Sequence, residues 1–181
     1  MFLVCHFFGL SHRPLPQGYS VWGKKFFVFV MAPVIEELLF RSWLKFKKQN
    51  ILIFIAVLVA QIVLSVIKSK PGGVFIYSAI LLFFIALLLL FKQNRIADFI
   101  SSHFSYFFYA SVFLFGFIHA FNFTGNIYAI VGFSFILGSP QIVGGAILGY
   151  IRMNHGLVYS ILFHMAINSI ILLSLLRHWR N

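Results

Sequence analysis

Long apolar runs, separated by short basic clusters, restrict the fold of this chain more than any other feature. Residues 51–67 and 73–91 carry no charged side chain, and lysines follow each run closely. In lipid a backbone N–H or C=O group has no water to bond, so a crossing segment must be a helix or part of a closed barrel. Runs of this length match the roughly 20 residues that a helix needs to cross a bilayer. The pattern therefore predicts membrane-spanning α-helices.

The composition excludes an ordinary soluble domain. Hydrophobic residues make up 61% of the chain and charged residues 9%, whereas soluble domains have about 45–50% and about 25%. A net charge of +11 would suggest nucleic-acid binding in a soluble protein. Here the basic residues flank apolar runs, where they meet anionic lipid headgroups. We therefore expect membrane lipids, and no nucleic acid, as partners.

The apolar runs together predict an all-α, polytopic transmembrane helix bundle of about six spans. The fifth span, residues 127–150, contains Gly138, Ser139 and Pro140, so we expect it to break near Pro140. We divide the chain into an N-terminal interfacial segment (1–25), a helical domain (26–176) and a basic C-terminal tail (177–181). We expect a multi-pass integral protein of the bacterial inner membrane.

The basic residues do not fix the orientation of such a bundle. Assigned to the loops between six spans, they divide seven against six between the two sides of the membrane. The positive-inside rule needs a clear excess on one side, so the orientation stays open.

Two adjacent glutamates in the first predicted span, Glu36 and Glu37, are the strongest sign of function. A charged side chain at the bilayer centre costs roughly 2.5–3.5 kcal/mol on insertion scales. Arg41 follows Glu37 by four residues, so the two share a helix face and can pair. Glu36 points about 100° away. A structural ion pair explains Glu37 and Arg41 but leaves Glu36 unexplained, which favours a functional site.

Three further polar residues lie in later apolar spans: His119 in the fourth, and His164 and Asn168 in the last. A lone membrane histidine is more often a packed, hydrogen-bonded residue than a catalyst. His164 and Asn168 share a helix face, either as an interhelical hydrogen-bond pair or as donors aimed at one oxygen. A carboxylate beside a histidine can take a proton from water, and donors opposite can stabilise an oxyanion. If Glu36 joins these residues, the set suits peptide-bond hydrolysis.

The chain contains three motifs, built around Glu36, His119 and His164 in that order, that resemble those of the CPBP family of intramembrane proteases. That family includes the CAAX prenyl endopeptidases of the Rce1 type and the bacterial Abi proteins. The resemblance covers residues 26–172 and rests on Glu36-Glu37-x-x-x-Arg41, Phe115-x-x-x-His119 and His164-x-x-x-Asn168.

The resemblance implies an intramembrane endopeptidase that acts on a membrane-anchored or lipidated peptide or protein. Glu36 would activate the attacking water with the help of His119. His164 and Asn168 would form the oxyanion site. Glu37 and Arg41, with Phe115 of the second motif, would support these residues.

The cofactor stays open at this point. A catalytic zinc takes about three protein ligands, and Glu36, His119 and His164 are the candidates. The chain contains no HExxH sequence. We favour a water activated without an obligatory metal.

Two features depart from the family pattern. Arg41 and His119 are separated by 77 residues with two extra apolar runs, whereas many members place the second motif shortly after the first. Residue 42 is serine where glycine is common.

Two other functions remain as alternatives. The first is a non-catalytic bacteriocin-immunity or scaffold protein on the same fold. The second is a transporter with a Glu/His proton relay, although the chain has no convincing inverted repeat.

Overall fold

The computed structural model describes residues 1–12 and 20–178. The predicted all-α class is confirmed, with one pair of two-residue strands among the helices. The chain folds into two compact units, one formed by Met1–Val34 with Phe108–Asn181 and the other by Ile35–Phe107. Residues 13–19 of the predicted interfacial segment, and 179–181 of the predicted tail, lie outside the described residues.

Helices and strands follow one another along the chain in this order: α1 (Phe2–Phe7), β1 (Ser11–His12), α2 (Val21–Phe26), a π-helical turn (Phe27–Met31), α3 (Ala32–Phe40), a 3₁₀ turn (Ser42–Leu44), α4 (Lys48–Ile67), α5 (Pro71–Leu90), α6 (Gln93–Ser102), α7 (Phe104–Ala120), β2 (Phe123–Thr124), α8 (Ile127–Gly132), α9 (Ser134–Leu137), α10 (Ser139–Asn154) and α11 (Leu157–His178). Helix α3 begins in the first unit and ends in the second.

The first unit has an apolar core beside its short strand pair. Strands β1 and β2 are antiparallel, with Ser11 opposite Thr124 and His12 opposite Phe123. This pairing brings Leu10, which is buried, into one cluster with residues from α7 onward. The buried members of the cluster are Leu10, Ala120, Phe123, Ala129, Ile130 and Leu137.

Three consecutive helices, α8, α9 and α10, occupy the predicted fifth span. The last of them begins at Ser139, with Pro140 in its first turn. A proline is tolerated there because the first N–H groups of a helix have no partner within it. The break therefore lies immediately before Pro140.

The second unit contains an antiparallel hairpin of α4 and α5. The Phe54 and Phe84 rings meet at 4.8 Å toward one end of the hairpin. Toward the other end, a Cβ on Gly73 would lie only 2.6 Å from Ser65 Oγ. Ser69 reverses the chain between the helices with a left-handed φ of 50°.

Among the described residues, α4 and α5 are the two helices long and apolar enough to cross a membrane. A third span is counted if α6 and α7, which meet at a bend of 83°, are taken together. The predicted number of about six spans is not confirmed. The first and fifth predicted spans consist of shorter helical pieces, interrupted by the π-helical turn and by the breaks before Ser134 and Ser139.

Candidate active site

The first motif contains a buried ion pair in the second unit. Glu37 Oε1 lies 3.2 Å from Arg41 Nη1, and the two side chains are 0% and 1% exposed. This is the pair that the four-residue spacing predicts. Removing one partner of a buried pair typically costs about 3–5 kcal/mol because the other charge is left uncompensated. Loss of either partner alone would therefore destabilise the C-terminal end of α3.

Glu36 has different surroundings from its neighbour. Its side chain is partly exposed, whereas Glu37 is fully buried. One step along a helix turns the side-chain direction by about 100°, which takes Glu36 off the face shared by Glu37 and Arg41. Of the two adjacent glutamates, Glu36 is thus the one whose side chain retains accessible surface.

Serine fits the position where the family pattern favours glycine. Ser42 is fully buried, and its hydroxyl donates to the carbonyl oxygen of Leu38. The hydroxyl is satisfied where α3 ends, so this departure leaves the first motif intact.

The second motif holds one histidine in a defined tautomer. His119 Nδ1 lies 2.7 Å from the carbonyl oxygen of Phe115, one turn earlier on α7. A carbonyl oxygen can only accept, so Nδ1 donates and carries the proton. When the ring is neutral, Nε2 then carries the lone pair that can accept a proton.

Phe115 brings the histidines of the second and third motifs together in the first unit. Its ring centroid lies 4.3 Å from that of His119 and 6.0 Å from that of His164. Phe115 is 2% and His164 6% exposed, while His119 is partly exposed. Both imidazoles therefore pack against the same buried aromatic ring.

Close helix packing supports this arrangement. A Cβ on Gly138 would lie 2.1 Å from the carbonyl oxygen of Gly116, so only glycine lets α7 approach the break before α10 this closely. Helix α11 is joined to α10 by the buried Ser160, whose hydroxyl donates to Leu148 O at 3.0 Å. The helices that carry His119 and His164 are thereby both fixed against α10.

Asn168 makes a contact that the sequence did not predict. Its Nδ2 donates to the carbonyl oxygen of Val28, in the π-helical turn, at 3.1 Å. An amide nitrogen carries two hydrogens, so this bond leaves the second N–H to serve another acceptor. The detectable signal in the sequence was Pro33, which removes one backbone donor from an otherwise helical stretch.

The structure brings together part of the predicted set. Phe115, His119 and His164 are neighbours in the first unit, and Asn168 follows His164 by one turn of α11. The first motif, from Glu36 to Arg41, belongs to the second unit. The convergence of Glu36 with the two histidines stays a prediction.

Within the part of the chain that the structure describes, neither unit by itself brings together three ligands for a catalytic zinc. In the described part of each unit, no three His, Cys, Asp or Glu side chains form a group that could hold a metal ion. The first unit offers His119 and His164 beside Phe115, one fewer than the three protein ligands that such a site takes.

Comparison with known proteins identifies one family. The model of the family described as "Type II CAAX prenyl endopeptidase Rce1-like" matches residues 18–170. The matched range contains all three motifs. No curated protein and no solved structure matches the chain.

Proposed function

Because the chain belongs to the type II CAAX prenyl endopeptidase Rce1-like family, we propose that it is an intramembrane endopeptidase. It hydrolyses a peptide bond of a membrane-anchored or lipidated peptide or protein. The observation that carries the proposal is the pair of histidines packed against Phe115, one of them in a defined tautomer. The Glu36 carboxylate supplies the acidic partner that these histidines need.

Water activation falls to Glu36 and His119. The carboxylate of Glu36 takes a proton from water as the oxygen attacks the carbonyl carbon of the substrate. His119 assists through Nε2, the ring nitrogen that carries the lone pair when Nδ1 donates to Phe115 O. Burial of Glu37 against Arg41 keeps the second carboxylate out of this step.

His164 and Asn168 stabilise the tetrahedral intermediate. An imidazole N–H and an amide N–H can both donate to the oxyanion as negative charge develops there. The proton taken from water then passes to the leaving nitrogen, and the carbon–nitrogen bond breaks. One water is consumed, with a carboxylate and an amine as products.

The localisation and the metal requirement follow from the assignment as an intramembrane endopeptidase. The chain is an integral membrane protein, and we place it in the bacterial inner membrane with lipids as its surroundings. No metal is obligatory in this mechanism, because Glu36 and His119 suffice to activate water.

About six membrane crossings remain our proposed topology. Besides α4 and α5, the crossings are formed by α2 with α3, by α7, by α8 to α10, and by α11. Buried breaks in spanning segments are tolerated where neighbouring protein groups satisfy the backbone, as Asn168 does for Val28.

Replacement of Glu36 by glutamine tests the function. We expect Glu36→Gln to lower the cleavage rate by about 10²- to 10⁴-fold, the usual contribution of a general base. The measurement is mass spectrometry of products from a prenylated CAAX peptide in proteoliposomes.

Asp98→Asn is the matched control, since Asp98 is the only other acidic residue outside the Glu36–Glu37 pair and is exposed on α6. It should cleave at the wild-type rate. Full activity of Glu36→Gln would refute the assignment. Protection of cells from a bacteriocin that survives a Glu36→Ala, His164→Ala double substitution would favour the immunity alternative.

A further inference from the structure

The helical stretch that leads into the Glu36–Glu37 pair contains one backbone carbonyl, that of Val28, for which its own helix has no backbone donor in the π-helical register. Within the π-helical turn, the N–H of Ala32 donates to the carbonyl oxygen of Phe27, five residues earlier. In the same register, the donor for Val28 O would be residue 33, which is proline and has no N–H. In the α-helical register the donor would be Ala32, whose N–H is already bonded to Phe27.

The side chain of Asn168, on α11, supplies the missing donor to Val28 O. Its Nδ2 donates to Val28 O at 3.1 Å, although the two residues are 140 positions apart in sequence. Helix α11 packs along the π-helical turn. Pro33, two residues after the end of the turn, is fully buried. A side-chain N–H therefore replaces the backbone N–H that Pro33 lacks.

The π-helical turn sets the direction in which the side chains after it point from the helix axis. A π-helical turn takes up one more residue than an α-helical turn, so its loss would rotate the residues after it by about 100° relative to α2. Ile35 would then take the direction that Glu36 holds. Such single π turns occur frequently at functional sites.

We propose that Asn168 is a positioning residue that holds the π-helical turn in place and thereby sets the direction of Glu36. This role rests on the proposed function for Glu36 and is separate from the oxyanion role, which uses the other N–H of the same amide. One amide nitrogen thus links the last motif to the π-helical turn that precedes α3.

A double-mutant cycle between Asn168 and Pro33 tests the proposal. Pro33→Ala provides an N–H at the position from which Val28 O can be reached in the π register. The effect of Asn168→Ala is measured with Pro33 intact and in the Pro33→Ala background. The readouts are kcat and KM for the prenylated peptide, and Tm of the detergent-solubilised protein.

With Pro33 intact, we expect Asn168→Ala to lower Tm and to lower kcat by about 10-fold or more, with KM within about twofold. In the Pro33→Ala background the same substitution should cost less in both Tm and kcat. The part of the kcat loss that returns measures positioning, and the part that remains measures the oxyanion role. Pro140→Ala, which adds an N–H in the first turn of α10, should rescue neither.

Equal costs of Asn168→Ala in both backgrounds would overturn the proposal, as would a rescue of Tm without any rescue of kcat. The Tm cycle requires no proteolysis. A protein that shows coupled Tm values but never cleaves peptide would therefore refute the proposed function and leave the hydrogen bond in place. If Asn168→Ala does not fold, Asn168→Leu replaces it, because leucine has nearly the same size and no side-chain N–H that could donate to Val28 O.

Discussion

Two residues that are neighbours in sequence and identical in chemistry have opposite surroundings in this protein. Glu37 is fully buried and paired with Arg41, while Glu36 is partly exposed. The difference comes from one step of helix rotation and from the position of one arginine. Glu37 is held by the Arg41 guanidinium and has no accessible surface, so the division of roles follows from local geometry.

A matched pair of substitutions at His119 separates its two ring nitrogens. In His119→Asn the side-chain amide nitrogen lies near the former Nδ1 and can still donate to Phe115 O, but the group at Nε2 is lost. We expect Tm to stay within about 4 °C of wild type and cleavage to fall by about 100-fold or more. His119→Gln places its amide near Nε2 instead and should lose the Phe115 bond.

Thermal unfolding, peptide cleavage and metal content are measured on the same preparations of both variants. Wild-type cleavage by His119→Asn would exclude Nε2 from water activation. Stoichiometric zinc in the wild type, lost in His119→Asn, would instead make His119 a metal ligand.

At the scale of the helices, contacts distant in sequence decide the details around the site. Gly138, before α10, lies so close to Gly116 on α7 that a Cβ on Gly138 would meet the carbonyl oxygen of Gly116. A Cβ on Gly116 would first meet Cγ1 of Ile142 on α10, at 2.2 Å. The contact fixes where the predicted fifth span breaks. It also fixes α7, which carries Phe115 and His119, against the helix that supports α11.

Gly138→Ala should open this contact. The added Cβ would meet the backbone of Gly116 at 2.1 Å, and backbone cannot move aside as a side chain does. We expect a loss of about 1–3 kcal/mol in unfolding free energy, or more, with reduced cleavage. The measurement is thermal unfolding in detergent together with the peptide assay.

Gly144→Ala is the control on α10 itself, since nothing lies within 4 Å of its added Cβ. Alanine favours a helix over glycine by up to about 1 kcal/mol, so Gly144→Ala should match or exceed wild-type stability. A Gly138→Ala protein as stable as Gly144→Ala would contradict the close contact.

The sequence predicted what depends on local pattern. Apolar runs predicted the helices, and the four-residue spacing predicted the pair of Glu37 with Arg41. The π-helical turn and the bond of Asn168 to Val28 were missed because they depend on packing between residues 140 positions apart. Leu10 was missed for the same reason: its burial requires β1 to pair with β2, which no local pattern reveals.

At the scale of the molecule in its membrane, the hairpin of the second unit carries an uneven charge. Helices α4 and α5 have 20 residues each, a length of about 30 Å, equal to the hydrocarbon thickness of a bilayer. Aromatic contacts, including Trp43 with Phe107 and Phe99 with Phe107, place α6 at the end where α4 begins. That end has five basic residues, and the turn has two. The five are Lys45, Lys47, Lys48, Lys92 and Arg95, and the two are Lys68 and Lys70.

For the hairpin taken alone, the positive-inside rule predicts that the end with five basic residues faces the cytoplasm. In a Cys5→Ser background, Gly72→Cys near the turn should react with a membrane-impermeant maleimide applied from outside the cytoplasmic membrane. Gln93→Cys at the start of α6 should react after the membrane is permeabilised. The reverse labelling pattern would overturn the predicted orientation.

None of the twenty side chains of α5 is buried within the protein. Outside the positions that pack against α4, such as Gly73 and Phe84, selection on this helix then acts through the lipid, which requires apolar character and length but no particular shape. Over evolutionary time these lipid-facing positions of α5 should drift freely among Leu, Ile, Phe and Val, while the glycines and motif residues of the first unit stay fixed. In a family alignment the hairpin would then be the region with the lowest sequence similarity.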